Sequence, residues 1–264
     1  MLRTARQGRT AMRFAPGHNR RCDAQSEVRN RWTTGVYLWA DCMGEPLNSG
    51  VSRAQQTYSW MLRAQILNST AASQPLFASV NGVRTWQFDG VNDTLLSSIN
   101  LSAYGNPQAV TVLTLHNVSN AATGFLSERS ANYTASTEGW GLSATSAYGE
   151  SALRGNVGTS ARGWNSPQNT WTVRATVLDK SASSGQEVKV YENGTLVTVF
   201  ALTTDSDNTN AFGAAINTYF GARAGSTLGI NGYLASAIVT MRAFTAEEIR
   251  DLTQLMRWRA GFAR

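Results

Sequence analysis

Residues 171–196 constrain the fold most strongly, because they read as two strands joined by a tight turn. Residues 171–178 alternate with a period of two, the period of a β-strand. One side carries Trp171, Val173, Ala175 and Val177, and the other carries Thr172, Arg174 and Thr176. Residues 187–192 alternate again, and Asn193-Gly194 favours a type I′ turn. We therefore predict an antiparallel hairpin.

The rest of the chain also favours strands over helices. Further strands are predicted for residues 35–41, 109–115, 195–202, 219–223 and 231–241. Residues 119–170 are rich in Gly, Ser, Asn and Ala, which predicts short strands and long loops. A C-terminal helix should begin at Thr245, because Thr245 and Glu248 have the spacing of a capping box, and Gly261 should end it.

Residues 85–96 read as a strand, a tight turn and a second strand. Trp86, Phe88 and Val91 are predicted to point into a core, while Asp89-Gly90 and Asn92-Asp93 are turn-forming pairs. The pattern F-D-G-x-x-D-x-L within this segment resembles the signature of the concanavalin A-like lectin/glucanase superfamily, of the laminin-G-like kind.

Further landmarks of that family follow in the expected order. They are the V-Y-x-N-G-x-L hairpin at 190–196, the strands at 219–223 and 231–241, and the terminal helix. Ser236 stands where the family pattern usually has Glu, so any role of that carboxylate is absent. The resemblance covers residues 36–264 and implies an all-β fold, a two-sheet antiparallel β-sandwich of the jelly-roll type with a short C-terminal helix.

The net charge of +6 is concentrated in residues 1–35, which we interpret as an extended basic arm. Eight Arg and two acidic residues lie there, and subtracting them from 23 basic and 17 acidic residues leaves 15 of each. The neutral body makes nucleic acid an unexpected partner. We expect no membrane span, since no apolar run approaches the required length, and no secretory signal. The candidate anchoring residues are Arg3, Arg6, Arg9, Arg13, Arg20 and Arg21.

The sequence offers little catalytic chemistry. Glycoside hydrolysis needs a pair of carboxylates, and no E-x-D-x-x-E arrangement surrounds any glutamate. The two histidines, His18 and His116, have no nearby ligand cluster, so neither an enzyme nor a zinc site is expected. Asp89 and Asp93 are weak Ca²⁺ candidates, the alternative being that they cap the turn; no other cofactor is expected.

Aromatic residues in the loop-rich middle are candidates for carbohydrate binding. Trp140, Tyr148 and Trp164 lie among Asn, Ser and Gly residues, and an exposed ring can stack on the C–H-rich face of a sugar. The alternative is that these rings belong to the sandwich core or to a subunit interface.

The leading functional hypothesis is a non-enzymatic structural protein of a large assembly. Sandwich domains of the resembled kind without catalytic acids imply a bacteriophage virion component, such as a head decoration, fibre or tail protein. The arm would bind neighbouring virion proteins, and a homo-oligomer is expected. One alternative is a lectin-like carbohydrate-binding module that attaches to host glycans. Another is an accessory subunit of an organellar complex, because the first residues are Arg-rich and poor in acids.

Overall fold

The computed structural model describes residues 36–42, 56–58, 65–67, 73–97, 101, 105–119, 123–129, 138–144, 148–203, 208–212, 217–223 and 227–262. Seventeen strands and one helix occur in these ranges. In chain order they are β1 (Val36–Asp41), β2 (Gln56–Tyr58), β3 (Gln65–Leu67), β4 (Leu76–Val80), β5 (Val83–Asp89), β6 (Leu95–Ser97), β7 (Ala109–Ser119), β8 (Gly124–Arg129), β9 (Trp140–Ala144), β10 (Gly149–Arg154), β11 (Thr159–Trp164), β12 (Thr172–Asp179), β13 (Val188–Glu192), β14 (Thr195–Leu196), β15 (Phe200–Ala201), β16 (Thr218–Phe220), β17 (Asn231–Thr240) and α1 (Ala246–Arg259).

The strands form two antiparallel sheets. The first sheet has the order β14-β13-β12-β7-β17-β5-β4, and β1 also pairs with β17. The second sheet has the order β15-β11-β10-β9-β8-β16-β6-β3-β2. Strand β17 holds the first sheet together, because it pairs with β7 along its length, with β5 at its start and with β1 at its end. Neighbouring strands at the centre of this sheet are therefore joined by long connections rather than by local hairpins.

The two sheets pack face to face around one apolar core. Trp86 and Phe88 of β5 lie in this core, as their spacing in the sequence predicts. Leu126 of β8, Leu142 of β9 and Leu153 of β10 belong to the same cluster and come from the opposite sheet. The predicted two-sheet antiparallel β-sandwich is confirmed.

The C-terminal helix covers part of the outer face of the first sheet. Helix α1 packs against β12 and β14, and it buries Ile249, Leu252 and Met256. Its capping box is present: the Thr245 hydroxyl accepts the backbone N–H of Glu248, whose carboxylate accepts the backbone N–H of Thr245. Both faces of β12 are consequently buried, one by the helix and one by the opposite sheet.

Two local predictions are wrong. Val91 does not enter the core but is 68% exposed, because it sits in the turn after β5 rather than in a strand. Residues 195–202 do not form one strand. They form β14, which pairs with β13 of the first sheet, and β15, which pairs with β11 of the second, so this segment crosses the open side of the sandwich.

Candidate functional site

The outer face of the second sheet carries a row of side chains at right angles to its strands. The register aligns Phe125 of β8 with Ser143 of β9, Ser143 with Glu150 of β10, Glu150 with Gly163 of β11, and Gly163 with Phe200 of β15. Residues directly opposite in neighbouring strands share one face. Leu142 and Leu153, which alternate with this row, lie in the core. The row therefore lies on the side of the sheet turned away from the core, although Phe125 and Ser143 within it are buried.

A second row on the same face lies two residues away along the strands. It joins Tyr219 of β16, Glu128, Gly141, Ala152 and Ala161. Together the two rows place mostly Gly, Ala and Ser on β9, β10 and β11, and larger side chains on β8, β15 and β16. The charged side chains among these ten positions are Glu128 on β8 and Glu150 on β10.

At one end of the face, Tyr148, Glu150, Gly163 and Phe200 form what we call the aromatic–carboxylate patch. The rings of Tyr148 and Phe200 meet edge to face with centroids 5.9 Å apart. Phe200 is 46% exposed, and Tyr148 and Glu150 are half-buried. A Cβ at Gly163 would lie 2.6 Å from Cε2 of Phe200, so only glycine leaves room for this ring. The patch thus presents two aromatic rings beside a carboxylate.

Partial burial changes the acidity of Glu150. Loss of solvent around its carboxylate raises the pKa above the ordinary value of 4.5. A carboxyl group in such surroundings gains more from a hydrogen-bonding ligand than a fully solvated one, because water competes less for its oxygens. Glu150 is therefore the polar group of this face best suited to contact a ligand.

The other end of the face is closed by an ion pair. Arg223 Nε lies 3.2 Å from Oε1 of Glu128, which is fully buried, and the guanidinium of Arg223 stands 5.6 Å from the ring centroid of Phe125. Because the Glu128 carboxylate is paired with a cation, it is poorly suited to act with Glu150 as a catalytic acid–base couple.

Two of the three predicted sugar-stacking residues lie in the core instead. Trp140 and Trp164 are 0% and 1% exposed, so neither can offer a ring face to a sugar. Trp140 donates its indole N–H to Oγ of Ser127 at 3.2 Å, and Trp164 donates to Oε1 of Glu192 at 2.8 Å. The prediction failed because both tryptophans lie in strands, where their side chains point towards the opposite sheet. Tyr148 alone of the three lies at the surface.

Beneath Trp164, the space between the sheets is polar. The Arg174 guanidinium lies 4.5 Å from the Trp164 ring centroid and donates to the Ser143 carbonyl at 3.0 Å and to Ser166 Oγ at 2.6 Å. Burial lowers the pKa of Arg174 to about 10, while the nearby charge of Glu192 opposes this shift. Residues buried to this degree tie the two sheets together rather than bind ligands.

His116 belongs to the same interior cluster. Its Nδ1 is 3.0 Å from Thr114 Oγ1, and its Nε2 has no hydrogen-bond partner among the residues that the structure describes. Burial, followed by the charge of Arg174, holds the pKa of His116 well below 6.5. This buried position fits a structural role for His116, because a catalytic role would require an approach to solvent that the residue lacks.

Asp89 and Asp93 act as turn caps. Oδ1 of Asp89 accepts the backbone N–H groups of Val91 and Asn92, and Oδ2 of Asp93 accepts the backbone N–H of Asp89 at 3.0 Å. Within the described ranges, no group of three or more His, Cys, Asp or Glu side chains is arranged to hold a metal ion. The same ranges contain no helix of the length and apolarity required to cross a bilayer.

The predicted anchoring residues lie outside the described residues. These are Arg3, Arg6, Arg9, Arg13, Arg20 and Arg21. Conversely, the sequence reasoning missed Glu150 and Phe200. The available signal was the alternation in residues 149–154, which places Glu150 on the face opposite to Leu153.

Comparison with known proteins gives structural matches only. No family model matches the chain, and a search of curated proteins finds no match. A botulinum neurotoxin type C structure, described for its interaction with two ganglioside molecules, matches with a TM-score of 0.57 at 8% identity over 88% of this chain and 53% of that chain. The botulinum neurotoxin serotype D binding domain gives 0.58 at 10% identity over 84% and 52%.

A Trypanosoma rangeli sialidase in complex with a difluorinated sugar acid matches with a TM-score of 0.53 at 12% identity, over 87% of this chain and 34% of that chain. The chain spans about half the length of the toxin structures that it matches. At these identities the matches show a shared β-sandwich fold. The narrower assignment to the concanavalin A-like superfamily stays a prediction.

Proposed function

We propose that this chain is a non-enzymatic recognition module that binds carbohydrate through the aromatic–carboxylate patch. The observation that carries the proposal is the position of Tyr148, Glu150 and Phe200 side by side on the outer face of the second sheet, over the glycine floor at Gly163. Sugar recognition needs this combination, because one face of a pyranose presents C–H groups while its rim presents hydroxyl groups.

Each group of the patch has a defined role in the proposal. The rings of Tyr148 and Phe200 pack against the C–H groups of a sugar, and the carboxylate of Glu150 accepts hydrogen bonds from its hydroxyl groups. The site has few polar groups and a mostly apolar lining, as ligand sites commonly do. The fold supports the proposal by analogy, since a matching toxin structure is described as interacting with gangliosides.

A glycan array followed by calorimetric titration of the best binder tests this function. Phe200→Ala and Tyr148→Ala should each weaken binding at least tenfold, because each removes one of the two stacking rings. Leu196→Ala is the matched control, since Leu196 is also apolar and exposed but belongs to β14 of the first sheet. Equal affinity in all four proteins, or no bound glycan on a broad array, would reject the proposal.

The charge distribution favours a second, compatible role. All of the net charge of +6 lies in residues 1–35, which suits an arm that anchors the chain to acidic neighbours in a large assembly, such as other proteins of a bacteriophage virion. In this proposal the protein is a homo-oligomeric decoration, fibre or tail component that presents the sandwich to a host surface. Its location would be the virion.

Replacing the six predicted anchoring arginines with glutamine tests this second role. The variant should remain folded by circular dichroism, because the residues that form the core lie between Cys42 and Val239. It should fail to join assembled particles in a sedimentation assay. Full incorporation of the variant would show that these arginines do not anchor the chain, and it would leave the carbohydrate proposal unaffected.

A further inference from the structure

A buried lysine and an asparagine lie against each other at the end of the sandwich opposite to Arg174. Lys180 directly follows β12 and is only 2% exposed. Its Nζ lies 3.2 Å from Oδ1 of Asn210 and 4.1 Å from the ring centroid of Phe212, which is itself fully buried. A buried amine and a buried aromatic ring therefore meet a half-buried carboxamide at this end of the sandwich.

We propose that Lys180 and Asn210 form an intramolecular isopeptide bond by a spontaneous transamidation. The Lys180 amine attacks Cγ of Asn210, so that a Nζ–Cγ bond forms and the Cγ–Nδ2 bond breaks. The side-chain nitrogen of Asn210 leaves as ammonia. No electrons are exchanged, and no oxidant or cofactor is required, because one amide is converted into another.

The contacts of Asn210 prepare its carbonyl for attack. Oδ1 accepts the backbone N–H of Asn156 at 2.9 Å in addition to the contact from Lys180. This backbone N–H points at the oxygen on which negative charge develops in the tetrahedral intermediate, and a fixed donor in that position stabilises the intermediate. The amine is also held near the carbonyl carbon, since Cγ is bonded directly to the contacted oxygen.

The segment that carries Asn210 is held in place by reciprocal hydrogen bonds. The side chain of Asn156 accepts the backbone N–H of Thr209 at 2.9 Å and donates to Thr209 Oγ1 at 3.1 Å. Gln108 donates to the Thr209 carbonyl at 2.8 Å. These bonds join the loop between β10 and β11 to residues 208–210, so Asn210 approaches Lys180 in one defined orientation.

The surroundings of Lys180 favour the nucleophilic form of its amine. Burial lowers the pKa of Lys180 to about 8, the carboxylates of Glu138 and Glu187 act in the opposite direction, and Arg129 lowers it again. A neutral amine is therefore present in a substantial fraction of molecules near neutral pH. During the reaction one proton passes from the attacking amine to the departing nitrogen, so that the nitrogen leaves as neutral ammonia.

The bond would staple two segments that are 30 residues apart in the sequence. It would connect the end of β12, in the first sheet, to residues 208–212, which bond to the β10–β11 loop of the second sheet. Such a crosslink would close the sandwich covalently at one end. A surface-exposed adhesive module would gain resistance to unfolding under load from it.

Intact-mass spectrometry of the purified full-length protein tests this inference directly. The expected mass is the sequence mass less one ammonia. After tryptic digestion, residues 175–189 and 190–223 should remain joined, with Lys180 uncleaved, because no other Lys or Arg lies within the second peptide. Lys180→Met and Asn210→Ala should each restore the full sequence mass for that variant.

A control variant distinguishes this bond from incidental modification of other lysines. Lys189→Met removes an exposed lysine on the neighbouring strand and should retain the ammonia loss. A wild-type protein with the full sequence mass after prolonged incubation above the pKa of Lys180, with trypsin cleavage after Lys180, would overturn the inference even if the variants failed to fold.

Discussion

Replacing Trp164 tests whether this residue holds the sheets together, as the structure indicates, or binds sugars, as its sequence surroundings suggest. Its ring lies in the core at 1% exposure, the Arg174 guanidinium stacks on it at 4.5 Å, and its N–H bonds to Glu192 at 2.8 Å. Trp164→Ala removes all three interactions at once. Trp164→Phe keeps most of the ring and removes the hydrogen bond.

The expected magnitudes follow from these contacts. Truncating a buried tryptophan to alanine costs about 3–5 kcal/mol in unfolding free energy. Loss of the ring beneath a desolvated guanidinium adds about 1–2 kcal/mol. Trp164→Ala should therefore lose about 4–7 kcal/mol, a large share of the stability of a typical domain. Trp164→Phe should lose about 1.5–3 kcal/mol, the value of a hydrogen bond to a charged group.

Urea denaturation followed by circular dichroism measures these losses as shifts of the midpoint at constant slope. Val157→Ala is the control, because Val157 is 64% exposed and its truncation should change stability by less than about 0.5 kcal/mol. If Trp164→Ala folds with a loss below about 1 kcal/mol, the ring is not part of the core and the description of the interior is wrong. A folded Trp164→Phe variant should also retain glycan binding.

Three further changes have defined outcomes. Since burial and Arg174 lower the pKa of His116, the unfolding free energy of the wild type should fall by up to about 1.4 kcal/mol per pH unit below the ordinary value of 6.5. In urea denaturation His116→Gln should show a weaker dependence of stability on pH, and an equal dependence in both proteins would contradict this prediction. Because burial raises the pKa of Glu150, ionisation of its carboxyl group opposes folding above the ordinary value of 4.5. Glu150→Gln should therefore raise the melting temperature at neutral pH and lose this gain at more acidic pH. An unchanged melting temperature at neutral pH would mean that the carboxyl group is fully solvated. Gly221→Ala should lower the unfolding free energy by at least about 2 kcal/mol in urea denaturation, because φ is +84° and the new Cβ would clash with Cε1 of Phe88. An unchanged stability would mean that Gly221 does not pack against Phe88 in this conformation.

The elements that the sequence predicts well are those fixed by local physics. The left-handed φ values of +50° and +83° at Asn193 and Gly194 follow from the residues themselves. The capping box at Thr245 and the inward alternation of Trp86 and Phe88 are equally local. In each case the interactions span at most a few residues, so a short stretch of sequence contains the cause.

The elements that the sequence predicts poorly depend on distant partners. Alternation in β12 separates Val173 from Arg174 but does not tell which side faces the opposite sheet. The structure puts Arg174 inside, because α1, more than 70 residues later, covers the Val173 side. Glu150 and Phe200 come together only through the pairing of β10 with β11 and of β11 with β15. A short stretch of sequence does not determine which residues of distant strands lie opposite each other.

Chemical-shift mapping of the isotope-labelled protein with the tightest-binding glycan tests the central proposal most directly. The account predicts saturable shift changes centred on Tyr148, Glu150, Gly163 and Phe200, with none at Leu196 on the first sheet. Shift changes confined to other loops, with the patch unaffected at saturation, would contradict it.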